Sequence, residues 1–228
     1  MFYVGIDDTD TIDSRGTNKL ALMIVEELRD HWKCHQVLRH QLFEDERVPF
    51  TSKNSSASLL FSPLRHQSAD NLFDEFRCRM LREFIPGSDP GLAVATGVDE
   101  SVMRFGYDCQ SELCTQEKVR QLAKGGSIKL EGLGGTNDGI IGALAAIGLA
   151  ATENDGRVIY LDGWSHQIEG EQSVDAIRDK NVTVMCGEKE IHSGFVTLHK
   201  KLRPNKRNGQ NVLFVEETTH GYRALKLP

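Results

Sequence analysis

Val4-Gly5-Ile6-Asp7-Asp8-Thr9-Asp10 is the stretch from which the fold is read. Phe2 to Ile6 are apolar, β-branched or aromatic, the pattern of a short buried strand. Polarity then flips, and Asp7, Asp8 and Asp10 put three carboxylates within four residues. A loop through Asp13, Ser14 and Gly16 leads to Thr17, after which Leu20, Met23, Ile24 and Leu28 recur at helical spacing. The acids therefore sit in a strand-to-helix connection, where open α/β sheets hold their ligands. A helix N-terminus favours an anion, and three carboxylates repel one. A hard cation such as Mg²⁺ reconciles the two, because it binds carboxylate and phosphate oxygens together. The plainer account is that Asp and Thr are turn-forming and helix-capping residues.

Working outward, Cys34 to Phe43 and Ser56 to Phe61 read as strands, separated by a polar connection from Asp45 to Lys53 that contains Pro49. Leu72, Phe73, Phe76, Met80, Leu81 and Phe84 mark one face of a helix over 69–84, opened by Ser68 and Asp70 and closed by Pro86-Gly87. Gly91 to Thr96 follow as a short strand. Strand, helix, strand, strand, helix, strand is the split βαβ order of ferredoxin-like units, with helices on one face of an antiparallel sheet. Glu100 to Lys124 carry one or two helices, with a break near Gly106 or Thr115. Ser127–Leu130 and Arg157–Leu161 read as strands on either side of a Gly/Ala-rich helix from about Gly139 to Thr152. Beyond Trp164 the texture shifts to short strands between polar turns: Val182–Met185, Phe195–Leu198, Val212–Val215 and Tyr222–Leu227. The expectation is an α+β protein with a mixed or antiparallel sheet. Residues 1–165 form one domain with a ferredoxin-like βαββαβ portion and a buried helix; 166–228 form a small β-rich unit.

Composition narrows the function classes. Of 228 residues, 39% are hydrophobic and 26% charged, as in ordinary globular domains. Gly or charge interrupts every apolar run before membrane-spanning length, so no membrane partner is expected. Met1 to Gly5 carry no basic residue and Asp7 follows, which is not a signal-peptide pattern and points to the cytoplasm. Five scattered cysteines imply no disulfide framework. A net charge of −6 disfavours non-specific nucleic-acid binding, a local basic patch excepted.

The second informative stretch runs from Glu131-Gly132-Leu133-Gly134-Gly135-Thr136-Asn137-Asp138-Gly139 into the helix that ends Gly142-Ala143-Leu144-Ala145-Ala146-Ile147-Gly148. A strand, a Gly-rich loop and a helix can cradle phosphate on loop N–H groups and the helix N-terminus. No Gly-Lys-Ser/Thr follows, so it is not a Walker loop, and Asn137 breaks the dinucleotide fingerprint. Asn137 suits a left-handed backbone position or an amide ligand. The alternative is a tight turn ahead of a closely packed helix.

Gly-Ile-Asp-Asp-Thr-Asp at 5–10, Gly16-Thr17, and Gly132 through Gly148 resemble motifs of the agmatidine synthase family (tRNA-isoleucine 2-agmatinylcytidine synthetase). Val48-Pro49-Phe50-Thr51-Ser52-Lys53 is similar to its Pro-aromatic-Lys-Thr-Arg segment, and Asp89-Pro90-Gly91 to its Asn-Pro-Gly. The resemblance spans about residues 1–165, the family's kinase-like catalytic domain. It implies ATP and Mg²⁺ as cofactors. Asp7, Asp8 and Asp10 would be catalytic and metal-binding. Thr9, Gly16, Thr17, Gly132, Gly134, Gly135, Thr136, Asn137 and Gly139 would line the nucleotide, and Lys53 would stand where the family has Arg. Departures are Gly16-Thr17-Asn18-Lys19 for a Cys-Thr-Thr, Asp138 for an Arg and Asn54-Ser55 for a Gly-Asn. No Cys-x-x-Cys is present to build the family's zinc ribbon, and its tRNA-holding domains have no counterpart.

Remaining features carry less. Lys19 is a second cation, more ordinarily a helix-surface residue. His31 and His35 read as helix-end residues suited to the dipole, His40 as a strand residue, and zinc with Cys34 is the rival. Cys109 and Cys114 read as unpartnered thiols. Lys200, Lys201, Arg203, Lys206 and Arg207 read as a solvated loop around Pro204, or as a grip on an anionic substrate or RNA. Trp164 and His166 are packed or base-stacking residues. The leading reading is an ATP- and Mg²⁺-dependent phosphotransferase or ligase whose acceptor, nucleic acid or small molecule, is open. The alternatives are a nucleotide-binding sensor without turnover, and an RNA-binding protein using the basic run.

Overall fold

The computed structural model describes residues 1–11, 13–48, 53–162, 164 and 168–227. The elements are β1 (Phe2–Asp7), α1 (Thr17–Leu28), β2 (Trp32–Gln41), β3 (Ser55–Pro63), α2 (Ala69–Arg82), β4 (Gly91–Ala95), α3 (Glu100–Ser111), α4 (Gln116–Leu122), β5 (Ile128–Gly132), α5 (Gly139–Ala151) and β6 (Arg157–Leu161). Then come β7 (Glu169–Ser173), α6 (Val174–Arg178), β8 (Val182–Cys186), β9 (Lys189–Glu190), β10 (Phe195–Lys201), β11 (Asn205–Arg207), β12 (Gln210–Thr218) and β13 (Gly221–Ala224). No described helix is long and apolar enough to cross a membrane.

The first four strands lie in the order β4-β1-β3-β2, all neighbours antiparallel. This is the split βαβ arrangement. The α+β class expected from the element order is the architecture found. β5 extends one edge beside β4, and β6 extends the other beside β2 and leads through β11 to the C-terminal strands.

The two helices of the ferredoxin-like portion share one face of the sheet, and a second helical layer covers the other. α1 and α2 pack on one side through Leu20, Ile24, Leu28, Leu72, Phe73 and Phe76, against Val4, Ile6, Leu59, Phe61 and Leu92. α3 and α5 pack on the other through Val102, Phe105, Ala143, Leu144 and Ile147, against Ala93 and Ala95. β4 explains how: all five of its residues are buried, and alternate side chains supply the two cores. α5 is buried almost all round and crosses β1 with so little space that a Cβ on Gly5 would stand 2.9 Å from the Ala143 carbonyl carbon. Trp32, Phe61 and Phe76 stack edge to face through the opposite core.

The break in the 100–124 region falls at Thr115, which caps α4 by accepting the Lys118 N–H. A separate apolar cluster, including Val174, Ile177, Val184, Val196 and Leu213, underlies the C-terminal strands.

Candidate functional site

Asp7 ends β1 opposite Gly91 of β4. Directly after it, Asp8 holds a left-handed backbone, φ 48°, an uncommon conformation for a residue with a side chain and one that clusters at functional sites. The Asp8 carbonyl accepts the Asp89 N–H at 3.1 Å, tying the two loops together. Thr9 and Thr17 are buried; Thr9 Oγ1 donates to Thr17 Oγ1 at 3.1 Å and Thr17 Oγ1 donates to Asp10 Oδ1 at 3.0 Å. Both threonines thus brace the acidic loop against the start of α1.

α5 drives the Asp7 carboxyl into an unusual environment. Asp7 lies against Gly142, close enough that a Cβ there would stand 2.5 Å from its Cγ. Burial, followed by the charge of Asp8, pushes the Asp7 carboxyl up to about 8. Burial and then Asp89, with further contributions from Asp10 and Asp138, raise Asp8 to about 6. Carboxyls raised by burial and by one another in this way mark a candidate functional site.

The acid loop and the beginning of α5 open on one cleft of about 210 Å³. Asp7, Asp8, Asp10 and Thr17 line one wall, and Asp89, Asp138, Gly139 and Gly142 another. Leu42, Phe43, Arg47, Val48 and Lys53 close a third side, with Cys109 and Cys114 at the base of α3 and just beyond it. Lys53 stands on the rim, paired with Glu44 at 3.1 Å. Of the residues expected at the site, Asp7, Asp8, Asp10, Thr17, Lys53 and Gly139 share this cleft. Thr9, Gly16, Gly132, Gly134, Gly135, Thr136 and Asn137 do not line it. Pro49 to Ser52, from the middle motif, lie outside the described residues.

The glycine loop has an internal occupant. Asp89 Oδ1 accepts the Asn137 N–H at 2.7 Å, and Oδ2 accepts the N–H groups of Thr136 and Asp138 at 3.0 and 3.1 Å, together with the Thr136 hydroxyl. A carboxylate on converging backbone N–H groups is what such a nest is built to hold. Asn137 and Gly135 supply the left-handed backbone the turn needs, φ 69° and 58°. Asp89 is a site residue that the sequence reading misses; its partners lie 47 to 49 residues further on, beyond the reach of any local pattern. Asp138 likewise enters the cleft as a further acid, held at 2.6 Å by Gln116 Nε2.

Among the described residues no three His, Cys, Asp or Glu side chains converge closely enough to enclose a metal ion. Mg²⁺ needs no such cage, because it keeps water and phosphate oxygens and takes one or two carboxylates from the protein.

Other expectations resolve differently. His35 is on β2, not at a helix end, and hydrogen-bonds Ser62 Oγ at 2.8 Å. His40 is fully buried between Ser58 Oγ and Asp155 Oδ1, each at 2.7 Å, a strut rather than a ligand. Cys109 and Cys114 are not unpartnered: the interaction between their thiols, together with burial, raises Cys109, and the same interaction, against burial, lowers Cys114. Trp164 packs against two apolar clusters and donates Nε1–H to the Lys180 carbonyl at 3.1 Å; His166 lies outside the described residues. The basic run is not a free loop. Lys200 and Lys201 end β10, and Lys206 and Arg207 belong to β11.

No protein-family model matches the chain, and no curated protein matches it by sequence. Solved structures do match its fold. Apo TiaS, an agmatidine synthetase for an isoleucine tRNA, is similar at 22% identity and TM-score 0.54, over 64% of this chain and 35% of that one. A tRNA fluorescent labeling enzyme is similar at 22% identity and TM-score 0.55, over the same shares. TiaS in complex with that isoleucine tRNA and ATP is similar at 21% identity and TM-score 0.54, over 64% and 36%. The chain therefore spans about a third of the length of the structures it resembles.

Proposed function

We propose that this protein binds ATP with Mg²⁺ in the acid-lined cleft and transfers a phosphoryl group, or activates an acceptor for ligation. The observation that carries this reading is the meeting of the Asp7-Asp8-Thr9-Asp10 loop with the first turn of α5 across one cleft, with Lys53 on its rim. Phosphoryl transfer asks mainly for positioning and neutralisation of charge, which such a wall of acids provides through a cation. Mg²⁺, if held by these carboxylates, would supply charge neutralisation for the phosphate. Asp8 and Asp10 would hold that ion, Asp7 would back them from under α5, and the N-terminal turn of α5 would favour a phosphate oxygen. Lys53 reaches the same oxygens as a point charge once released from Glu44.

The fold-level likeness to TiaS, of which one structure holds ATP and an isoleucine tRNA, supports a nucleotide in this position and makes a nucleic-acid acceptor worth testing. A small-molecule acceptor is the other class, and the division into a 1–165 catalytic domain and a 166–228 unit belongs to the same proposal. Calorimetric titration of Mg·ATP into Asp8→Asn or Asp10→Asn protein should show affinity at least tenfold weaker than the unaltered chain. Equal affinity would remove the assignment.

One observation favours binding without turnover. Asp89 already engages the glycine loop's N–H groups, so those donors do not face the cleft. Saturable ATP binding with no release of ADP or pyrophosphate, across nucleoside, tRNA and amine acceptors, would select this reading.

A further inference from the structure

Away from the acid cleft, three arginines stand in a row on adjoining segments. Arg39 of β2 is directly opposite Arg157 of β6 in the antiparallel pairing. Arg157 is opposite Asn205 of β11, and Arg203 lies two residues before Asn205. Residues opposite one another share a sheet face, and like charges so placed repel. All three guanidiniums are at least half buried, and Arg39 is only 8% exposed as a residue. Among the described residues none of the three forms an ion pair with a carboxylate. Arg39 bonds the neutral side chains of Ser55 and Gln41. Arg157 and Arg203 bond backbone carbonyls, of Leu227 and Leu202. Arg157 Nε is buried with no hydrogen-bond partner among the described residues. Burial and the neighbouring arginine both hold Arg39 and Arg203 below their ordinary range.

Unpaired buried charge is costly, and folded proteins keep it where a ligand supplies the counter-charge. The surroundings have room for one. A cavity of about 900 Å³ is lined by Arg157, Arg203, Lys200, Lys201 and Lys226, with Glu169 its one acid among the described residues. Arg39, Arg157, Lys53 and Lys226 line a second depression of about 510 Å³, with Glu44, which pairs with Lys53, its acid among the described residues. That depression also touches Leu42, Phe43 and Lys53, which border the acid cleft. A chain with net charge −6 thus gathers basic groups along one groove.

We propose that the Arg39–Arg157–Arg203 row is a second binding site, for phosphate groups, separate from the acid-lined cleft and joined to it by the groove past Lys53. The guanidinium forks match phosphate oxygens, and Arg157 Nε is a buried donor without a hydrogen-bond partner among the described residues. Two probes carry the shared chemistry from different sources: inorganic pyrophosphate and a short fluorescein-labelled single-stranded RNA.

Each probe is titrated in Mg²⁺-free buffer with EDTA, which silences the acid cleft, into the intact chain and into Arg157→Gln, Arg203→Gln and Asp8→Asn variants, with circular dichroism and thermal melting as folding controls. The expected result is that Arg157→Gln and Arg203→Gln each weaken binding about tenfold or more, while Asp8→Asn leaves it unchanged. The salt dependence of RNA binding should fall by a little under one unit of log–log slope per arginine removed. Pyrophosphate binding with this arginine dependence identifies a site for a small phosphorylated ligand; binding of the RNA alone identifies a polynucleotide track. Removing one of two opposed like charges should also leave the ligand-free protein at least as heat-stable as the parent. Should Arg157→Gln fail to fold, Arg203→Gln carries the binding test. Equal affinity in the folded arginine variants, or binding of neither probe, overturns the proposal. The Asp8→Asn arm keeps its failure distinct from failure of the nucleotide assignment.

Discussion

Gly142→Ala tests whether Asp7 is held where α5 places it. Alanine is the better helix former, and in an exposed helix the change is worth about 1 kcal/mol in its favour. Here the new methyl would stand 2.5 Å from Asp7 Cγ and 3.0 Å from its Cβ, where ordinary contacts begin near 3.4 Å. Asp7 cannot swing aside freely, because its backbone is paired with Gly91 and its half-buried side chain lies against the helix at Gly142. Overpacking of this kind costs about 1–3 kcal/mol, so the net effect runs from neutral to about 2 kcal/mol destabilising. For a chain of this size that is a fall of up to about 4–8 °C in melting temperature. The larger effect is on the site, where an acid displaced by about 1 Å loses its place beside the phosphate oxygens, at a cost of order tenfold or more. Thermal melting and calorimetric titration of Mg·ATP read the two effects separately. Asp7→Ala/Gly142→Ala relieves the clash and should recover the melting temperature without recovering affinity. Gly16→Ala, where a Cβ meets nothing within 4 Å, is the control and should change neither. A Gly142→Ala protein that melts higher than the parent and titrates Mg·ATP normally would refute the packing of α5 on Asp7 and the site built on it.

Asp89→Ala removes the acceptor for three N–H groups and a hydroxyl of the glycine turn. Thr136 and Asp138 are exposed, so water replaces part of the loss, and the expected destabilisation is about 1–3 kcal/mol by urea denaturation. Unchanged stability would mean that the carboxylate does not hold the turn. Asp155 supplies a pH dependence. Burial alone would raise its carboxyl, but the hydrogen bond and charge of His40 and the hydrogen bond from Gln110 outweigh it, and the carboxyl lies below its ordinary value of 3.8. A depressed native value contributes stability that is present above 3.8 and lost as pH falls through the lower native value. Asp155→Asn should therefore flatten the acid limb of urea midpoints followed from about pH 5 to pH 2. An acid limb identical to the parent's would sink the account.

Much of the fold is legible because it is local. The Ser68-Asp70 start, the apolar face of 69–84 and the strand runs at 2–6, 56–61 and 91–96 carry period and punctuation within single elements. What the spacing conceals is which layer each helix joins. β4 supplies both cores, so its uniform burial gives no sign of side, and the spacing within 100–151 does not say that its helices cover the face opposite α1 and α2. β7, β9 and β11 leave no mark in the sequence because they are short and polar, formed by pairing with β10, β8 and β12 rather than by their own pattern. At the site, the triple acid is visible because its chemistry is contiguous in the chain. Asp89, Asp138 and the arginine row are not, because each gains meaning only from partners distant in sequence.

The glycine loop shows how composition can point to the right place for an incomplete reason. Glycine richness before a helix is ambiguous between N–H groups bared to a phosphate and backbones brought into contact. Gly139 and Gly142 belong to the second kind: a Cβ on Gly139 would stand 2.7 Å from the Gly91 amide nitrogen, and one on Gly142 would displace Asp7. Meanwhile the N–H groups of the turn face Asp89 rather than the cleft. The glycines thus act on the site indirectly. By letting α5 lie on the strand backbones they bury Asp7 and bring Asp138 and Gly139 to the cleft wall. If a nucleotide binds there, its phosphates meet the helix end and a cation held by the acids, while the turn stays braced by Asp89. Exchanging Gly139 or Gly142 should then damage nucleotide affinity more than exchanging Gly134, whose added methyl would meet mainly the half-exposed ring of Phe84.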